Sequence, residues 1–351
     1  MTIINNLEID NINYINNDIK DAIKNNKPID TKLNVIIVIS NPCQYARRYV
    51  LAREFIQRFE KEESKVNLYV VELAYKIPGQ KMQQFHVTDP NNKNHLQLTS
   101  TNHPIWHKES LINVGIRKLL PVDWTHIAWI DADIEFDNAH WVEDTLKILS
   151  GTRDIVQLFS HVLDLDPYLD PLQIYSGFGY QYTQKRKYKT RGGIHYFHPG
   201  MAWACTRKAY DQIGGIYDKS ILGSGDHNMA LAFIGKGLLS VNAHVSDDYK
   251  QSIEDFQNRT QGLKLGYVPG IIRHHYHGTK ANRKYGDRWK ILVNHIYEPS
   301  LHTTYDSNGL IIPTSYCPKA MLDDIYTYFS ERNEDEGFTE AMNSMNALTI
   351  I

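Results

Sequence analysis

Asp131-Ala132-Asp133 follows directly on the apolar run His126-Ile127-Ala128-Trp129-Ile130. Two carboxylates at i and i+2 on an extended backbone project to the same face. They repel unless a cation lies between them, and hard divalent ions take oxygen ligands. The run before them places the pair at the carboxyl end of a buried strand, where open α/β sheets bind ligands. Acids that merely cap a strand end and face water are the bland alternative, and the buried run argues against it. Further on, His274-His275-Tyr276-His277-Gly278-Thr279-Lys280 holds three imidazoles within four residues. Neutral imidazole suits transition metals such as Mn²⁺. The hard oxygens and the lack of a neighbouring cysteine argue against a zinc-only site. At least one of these histidines is expected to be an ordinary packing residue. Gly278 and Lys280 would let backbone and an ammonium approach a phosphate. Finally, Gly223-Ser224-Gly225-Asp226-His227-Asn228 opens a helix. Asp226 there is either a plain helix cap or a general base beside a glycine-lined pocket.

The elements that must hold these groups are legible as alternating strands and helices. Leu33-Asn34-Val35-Ile36-Ile37-Val38-Ile39 reads as a buried strand stopped by Ser40-Asn41-Pro42. A helix is expected over 45–61, a strand over 66–73, a helix over 106–120 ended by Pro121, and a strand over 126–130. A helix over 141–149 and a strand over 155–159 follow, then a strand over 200–206 and a helix over 226–235. Strand, helix, strand in this order implies an α/β fold with a mostly parallel sheet. Polar loops are expected over 76–104, with Pro78-Gly79 as a turn signal, and over 164–193. Residues 1–30, with Ile9, Ile12, Ile15 and Ile19 at helical spacing among many asparagines, read as a weak helix or partly ordered leader.

The whole chain has 351 residues, 42% apolar and 22% charged, with net charge −2. Those values exclude wholesale disorder and binding to nucleic acid through bulk positive charge. Cys43, Cys205 and Cys317 are too few and scattered for a disulfide framework. With no signal peptide and no apolar run of membrane-spanning length, a cytoplasmic location and no membrane span are expected.

Four blocks fall in a characteristic order: Trp106-His107-Lys108-Glu109-Ser110-Leu111-Ile112-Asn113-Val114-Gly115, then Ile130-Asp131-Ala132-Asp133, then Asp226-His227, then Ile271-Ile272-Arg273-His274. Together they resemble glycosyltransferases of the GT-A fold. Their order is most similar to the beta-1,4-galactosyltransferase type, with its K-L-L-N-V-G helix, D-x-D, W-G-G-E-D and I-R-H blocks. The chain is also similar to phage and giant-virus proteins of this class, which implies a viral or phage source. The resemblance covers 33–295. It implies a Rossmann-like, mostly parallel twisted sheet flanked by helices, as one large domain over 31–295 between the leader and a C-terminal extension over 296–351.

The resemblance also implies roles. With Ala132 between them, Asp131 would reach the donor ribose or the metal, and Asp133 would ligate Mn²⁺ (or Mg²⁺). Ser40, Asn41 and Pro42 would hold the nucleotide base, with Glu72 nearby. Lys108 and Asn113 would face the donor. His274 matches the I-R-H block, whereas His277-Gly278-x-Lys280 resembles the His-Gly-x-x-Lys metal and diphosphate block of glycogenin-like enzymes; His277 is preferred over His274. The family's E-D pair is Asp226-His227 here, and Asp226 is preferred as the base. The implied reaction moves a hexosyl group from a nucleotide sugar, UDP-linked in the family's manner, to a hydroxyl acceptor with inversion.

Two other classes compete. A metal-dependent nucleotidyltransferase would also use paired acids, although no G-x-x-x-x-G-K-[ST] loop is present. A non-enzymatic sugar- or nucleic-acid-binding module would use the aromatic and basic stretch with Tyr180, Tyr182, Lys185, Arg186, Lys187, Tyr188, Lys189 and Arg191. The acceptor is expected to be a glycan or protein hydroxyl, with a hydroxylated DNA base as the alternative.

Overall fold

The β-branched run at 33–40 forms an inner strand of the main sheet, paired on both sides. In a computed structural model, residues 2–4, 7–9, 17–25, 30–77, 79–189 and 193–337 are described. The main elements are β1 (Leu33–Ser40), α1 (Ala46–Glu62), β2 (Val66–Tyr75), β3 (His95–Ser100), α2 (Lys108–Leu119) and β4 (His126–Ile130). Then come β5 (Ile134–Phe136), β6 (Ile155–Gln157), β7 (His161–Leu165), β8 (Pro171–Gly177) and α3 (Phe178–Thr183). The series ends with β9 (Phe197–His198), β10 (Ala202–Thr206), α4 (Gly225–Phe233), β11 (Leu265–Tyr267), β12 (Ile271–His274) and α5 (Lys319–Glu331).

A seven-stranded sheet runs β11-β6-β10-β4-β1-β2-β3. Its neighbours pair in parallel except around β10, which is antiparallel to both β6 and β4. The expected class, α/β with a mostly parallel sheet flanked by helices, is what the chain forms. Period-2 alternation splits β1 between two cores. Val35, Ile37 and Ile39 pack with Phe55, Ile56 and Phe59 of α1, while Ile36 faces Leu111, Ile112 and Val114 of α2. The second core also takes in Tyr297, Leu310, Ile311, Met321, Ile325 and Phe329, so residues beyond 295 pack into the same interior.

Two expected loops contain regular structure. The stretch 76–104 includes edge strand β3, whose polar alternation disguised it. The stretch 164–193 includes β8, which pairs antiparallel with β7, and helix α3. Pro167 lies in the turn between β7 and β8, and Pro171 opens β8. These strands belong to a second sheet, β9-β8-β7-β12-β5, which carries β12 and its histidines beside the carboxyl end of β4. In the leader, Thr2–Ile4 and Leu7–Ile9 pair antiparallel and a helix spans Asn17–Lys24. Ile9 therefore lies in a strand, while Ile12 and Ile15, like Pro78 and Arg191, lie outside the described residues.

The Asn113-Val114-Gly115 block serves the fold. A Cβ at Gly115 would stand 2.2 Å from Ile36 Cδ1, so only glycine lets α2 lie this close to the sheet. Asn113, a residue proposed above to face the donor, is buried. It donates to Ile216 O at 2.7 Å and accepts from Tyr210 Oη and Ile216 N. Asn113→Ala strands those buried groups and should lower stability by about 1–3 kcal/mol. Mn²⁺ affinity should not change, and denaturant melts beside calorimetry on the same variant check both halves.

Candidate active site

A cleft of about 680 Å³ opens at the carboxyl ends of β1 and β4. Ser40, Asn41 and Pro42 line it from the end of β1, and Asp131, Ala132 and Asp133 from the end of β4. Lys108 enters from the start of α2, Asp226 and His227 from the start of α4, and His274, His277 and Lys280 from the end of β12 and the chain after it. Of the residues that the resemblance assigns to the donor, Glu72 and Asn113 do not line the cleft. Glu72 is buried and turned away. Its carboxylate accepts the backbone N–H groups of His86, Val87 and Thr88 and the Thr88 hydroxyl, pinning that strap to β2. An acid buried in a strand reads alike as a ligand contact or a loop anchor; here its partners are backbone.

Three side chains converge at the floor of the cleft. Asp133 Oδ2 lies 3.1 Å from His277 Nε2 and 3.9 Å from His274 Nε2, and the two imidazole nitrogens are 3.2 Å apart. Their potential ligand atoms all lie within 4.8 Å of one another. Asp133 Oδ1 is buried with no hydrogen-bond partner. A buried carboxylate oxygen left bare is costly, and an ion at this point would satisfy it. One carboxylate and two imidazoles form a donor set suited to Mn²⁺. The residues present therefore fit a divalent metal, and both candidate histidines belong to this donor set. The third histidine packs elsewhere, as expected of one of them: His275 Nε2 is 3.1 Å from Glu135 Oε1.

Electrostatics favour the ligand forms of Asp133 and His277. Burial would raise the Asp133 carboxyl, but His277, His274 and Arg283 outweigh it and hold it well below the usual carboxylate range. Burial, and then Arg283, hold His277 below its ordinary value, which favours its neutral form. Behind His274, Asp164 Oδ1 stands 2.8 Å from Nδ1 and directs Nε2 toward the cluster. Lys280, expected at a phosphate, is instead paired with Asp164 and donates to Tyr175 Oη at 2.7 Å. Asp164→Asn should weaken Mn²⁺ binding roughly 10–100-fold, the usual effect of losing an outer-shell partner. Titration calorimetry measures it directly.

Asp131 lies apart from the triad. Lys108 Nζ bridges it at 2.5 Å to Asp226 at 3.1 Å. Burial raises the Asp131 carboxyl to about 6, with Asp226 and Asp133 adding to the rise and Lys108 opposing it. His227 Nε2 is 2.8 Å from Tyr188 Oη. Burial pushes that imidazole down to about 4, helped by Arg288 and opposed by Asp226. Its Nε2 is thus already engaged by a hydroxyl, while Asp226 contacts the Lys108 ammonium. Met201 (φ 81°) and Ser224 (φ 80°), both in the lining, adopt left-handed backbone that non-glycine residues rarely take. Such strain gathers at functional sites.

No family model matches the chain, and no curated protein does. Among solved structures, a mutant Drosophila beta-1,4-galactosyltransferase 7, in complex with manganese, UDP-Gal and xylobiose, is similar at a TM-score of 0.38 and 11% identity. The likeness covers 81% of this chain and 94% of that one. A mannosyltransferase from Pyrobaculum calidifontis, in complex with GDP-Man and Mn²⁺, is similar at 0.34 and 14%, covering 95% and 81%.

Several lining residues escaped the sequence reading. Asp164 had a signal: an acid inside the apolar run of β7 needs a buried partner. Arg48, Arg332 and Glu334 had none, because they meet across nearly the whole chain. Arg48 Nη2 donates to Glu334 Oε1 at 2.8 Å, and Arg332 Nε donates to the same oxygen at 2.6 Å. Among the described residues, no helix is long and apolar enough to cross a membrane.

Proposed function

We propose that the chain is a metal-dependent glycosyltransferase that moves a hexosyl group from a nucleotide sugar, with UDP as the nucleotide, to a hydroxyl acceptor. The observation that carries this reading is the convergence of His274 Nε2 and His277 Nε2 on Oδ2 of Asp133, whose Oδ1 is left bare, in a cleft that Asp226 also lines. Those three residues would hold Mn²⁺, which when bound offsets the negative charge growing on a departing diphosphate. Ser40, Asn41 and Pro42 form the rim suited to a nucleotide base. Asp226 would accept the proton of the acceptor hydroxyl. Lys108, 3.1 Å away, holds it in place. A carboxylate base acting directly on the acceptor implies a single displacement with inversion.

The released nucleotide tests the reaction class. With Mn²⁺, a panel of nucleotide sugars and hydroxyl acceptors, sugar transfer should release the nucleoside diphosphate. Release of pyrophosphate from nucleoside triphosphates would point instead to nucleotidyl transfer. The acceptor is read as a glycan or protein hydroxyl rather than a DNA base, consistent with the net charge of −2. Acceptor binding should then depend little on salt, and Lys185, Arg186 and Lys187 changed together to Ala should leave that dependence unaltered. A steep salt slope that the triple variant loses would mean phosphate contacts and a nucleic-acid acceptor.

A further inference from the structure

The cations of the cleft are unevenly matched. Arg48 and Arg332 pair with Glu334, Lys108 with Asp131 and Asp226, and Lys280 with Asp164. Arg283 and Arg288 have no carboxylate partner at ion-pairing distance among the described residues. Arg283 stands at the metal triad, donating to His277 Nε2 at 2.9 Å and to Tyr285 Oη at 3.1 Å. A diphosphate held at the triad would lie beside it.

Arg288 is placed differently. Its guanidinium donates to Leu222 O at 3.4 Å and to Ser224 Oγ, in the turn immediately before Asp226. It also lies over the Tyr285 ring, 5.2 Å from the centroid. In an in-line displacement the base and the leaving group flank the reacting carbon from opposite sides. A cation fixed to the base's own turn therefore faces the sugars rather than the diphosphate. Tyr196, Tyr285 and Trp289 line the same wall, and apolar sugar faces pack on aromatic rings. Guanidinium stays charged at all working pH, and its fork matches carboxylate and phosphate bidentately. A neutral sugar offers nothing to balance that charge.

We infer that one of the two sugar substrates carries an anionic group, carboxylate or phosphate, and that Arg288 recognises it. This rests on the glycosyl-transfer reading above. Isothermal titration of the full chain with Mn²⁺ distinguishes the two possible sources. One arm compares UDP-glucuronate with UDP-glucose. The other fills the site with UDP and compares glucuronate and glucose 6-phosphate with glucose. In at least one arm the charged probe should bind about 10-fold tighter than its neutral counterpart, as expected for one charge-assisted contact. Arg288→Gln should erase that difference, and Arg288→Lys, which keeps the charge and can still reach Ser224, should retain part of it. Equal affinities in both arms for the wild type, or a preference that survives Arg288→Gln, would overturn the inference while leaving glycosyl transfer standing. If UDP with Mn²⁺ does not bind at all, the proposed function falls and this inference with it.

Discussion

Asp133→Asn is expected to abolish Mn²⁺-dependent stabilisation of the protein. The substitution keeps the shape of the side chain and removes the only carboxylate among three convergent ligands. The loss of affinity should exceed the roughly 10–100-fold expected for an outer-shell partner such as Asp164. Metal-free stability should also fall somewhat at neutral pH, and the sign follows from the ionisation. The folded-state carboxyl sits below its ordinary value, so its ionisation stabilises the fold above the unfolded pKa. That contribution disappears as pH falls through the folded value. Wild type and variant should therefore converge in stability in strong acid and differ most near neutrality. Thermal melts with and without Mn²⁺ across pH measure both effects. A variant melt that still rises with Mn²⁺ would rule out Asp133 as a ligand.

Asp226→Asn should lower the rate of transfer by roughly 10²–10⁴-fold, the usual contribution of a positioned base. Donor affinity should stay within about 2-fold, because the residue touches Lys108 and not the triad. His227→Ala is the control. Its Nε2 is already hydrogen-bonded to Tyr188 Oη, so its loss should cost far less in rate. If the two variants exchange these effects, His227 is the base.

Local pattern made the strand ends readable. The β-branched run of β1 and the apolar run before Asp131 each declare a buried strand, and whatever follows such strands lies at the sheet's carboxyl edge. That places Ser40, Asp131 and Asp133 without any knowledge of tertiary contacts. The histidines after β12 were legible for the same reason. The second sheet was not, because β8 begins with a proline and follows a turn rich in aspartate and proline. Its pairing with β7 depends on a partner strand and not on its own periodicity. Glu72 and Asn113 show the opposite failure. Both are polar residues in apolar elements near the site, and residue type alone does not distinguish a ligand contact from a buried anchor for backbone. The Arg48–Glu334 pair, separated by 286 positions, has no local signal at all.

The most direct test of the metal-centred account is titration calorimetry of UDP into the wild-type chain with and without Mn²⁺. Saturable binding of UDP that requires Mn²⁺, and that Asp133→Asn removes, is the expected result. UDP binding of equal strength without the metal, or no binding in its presence, would contradict it.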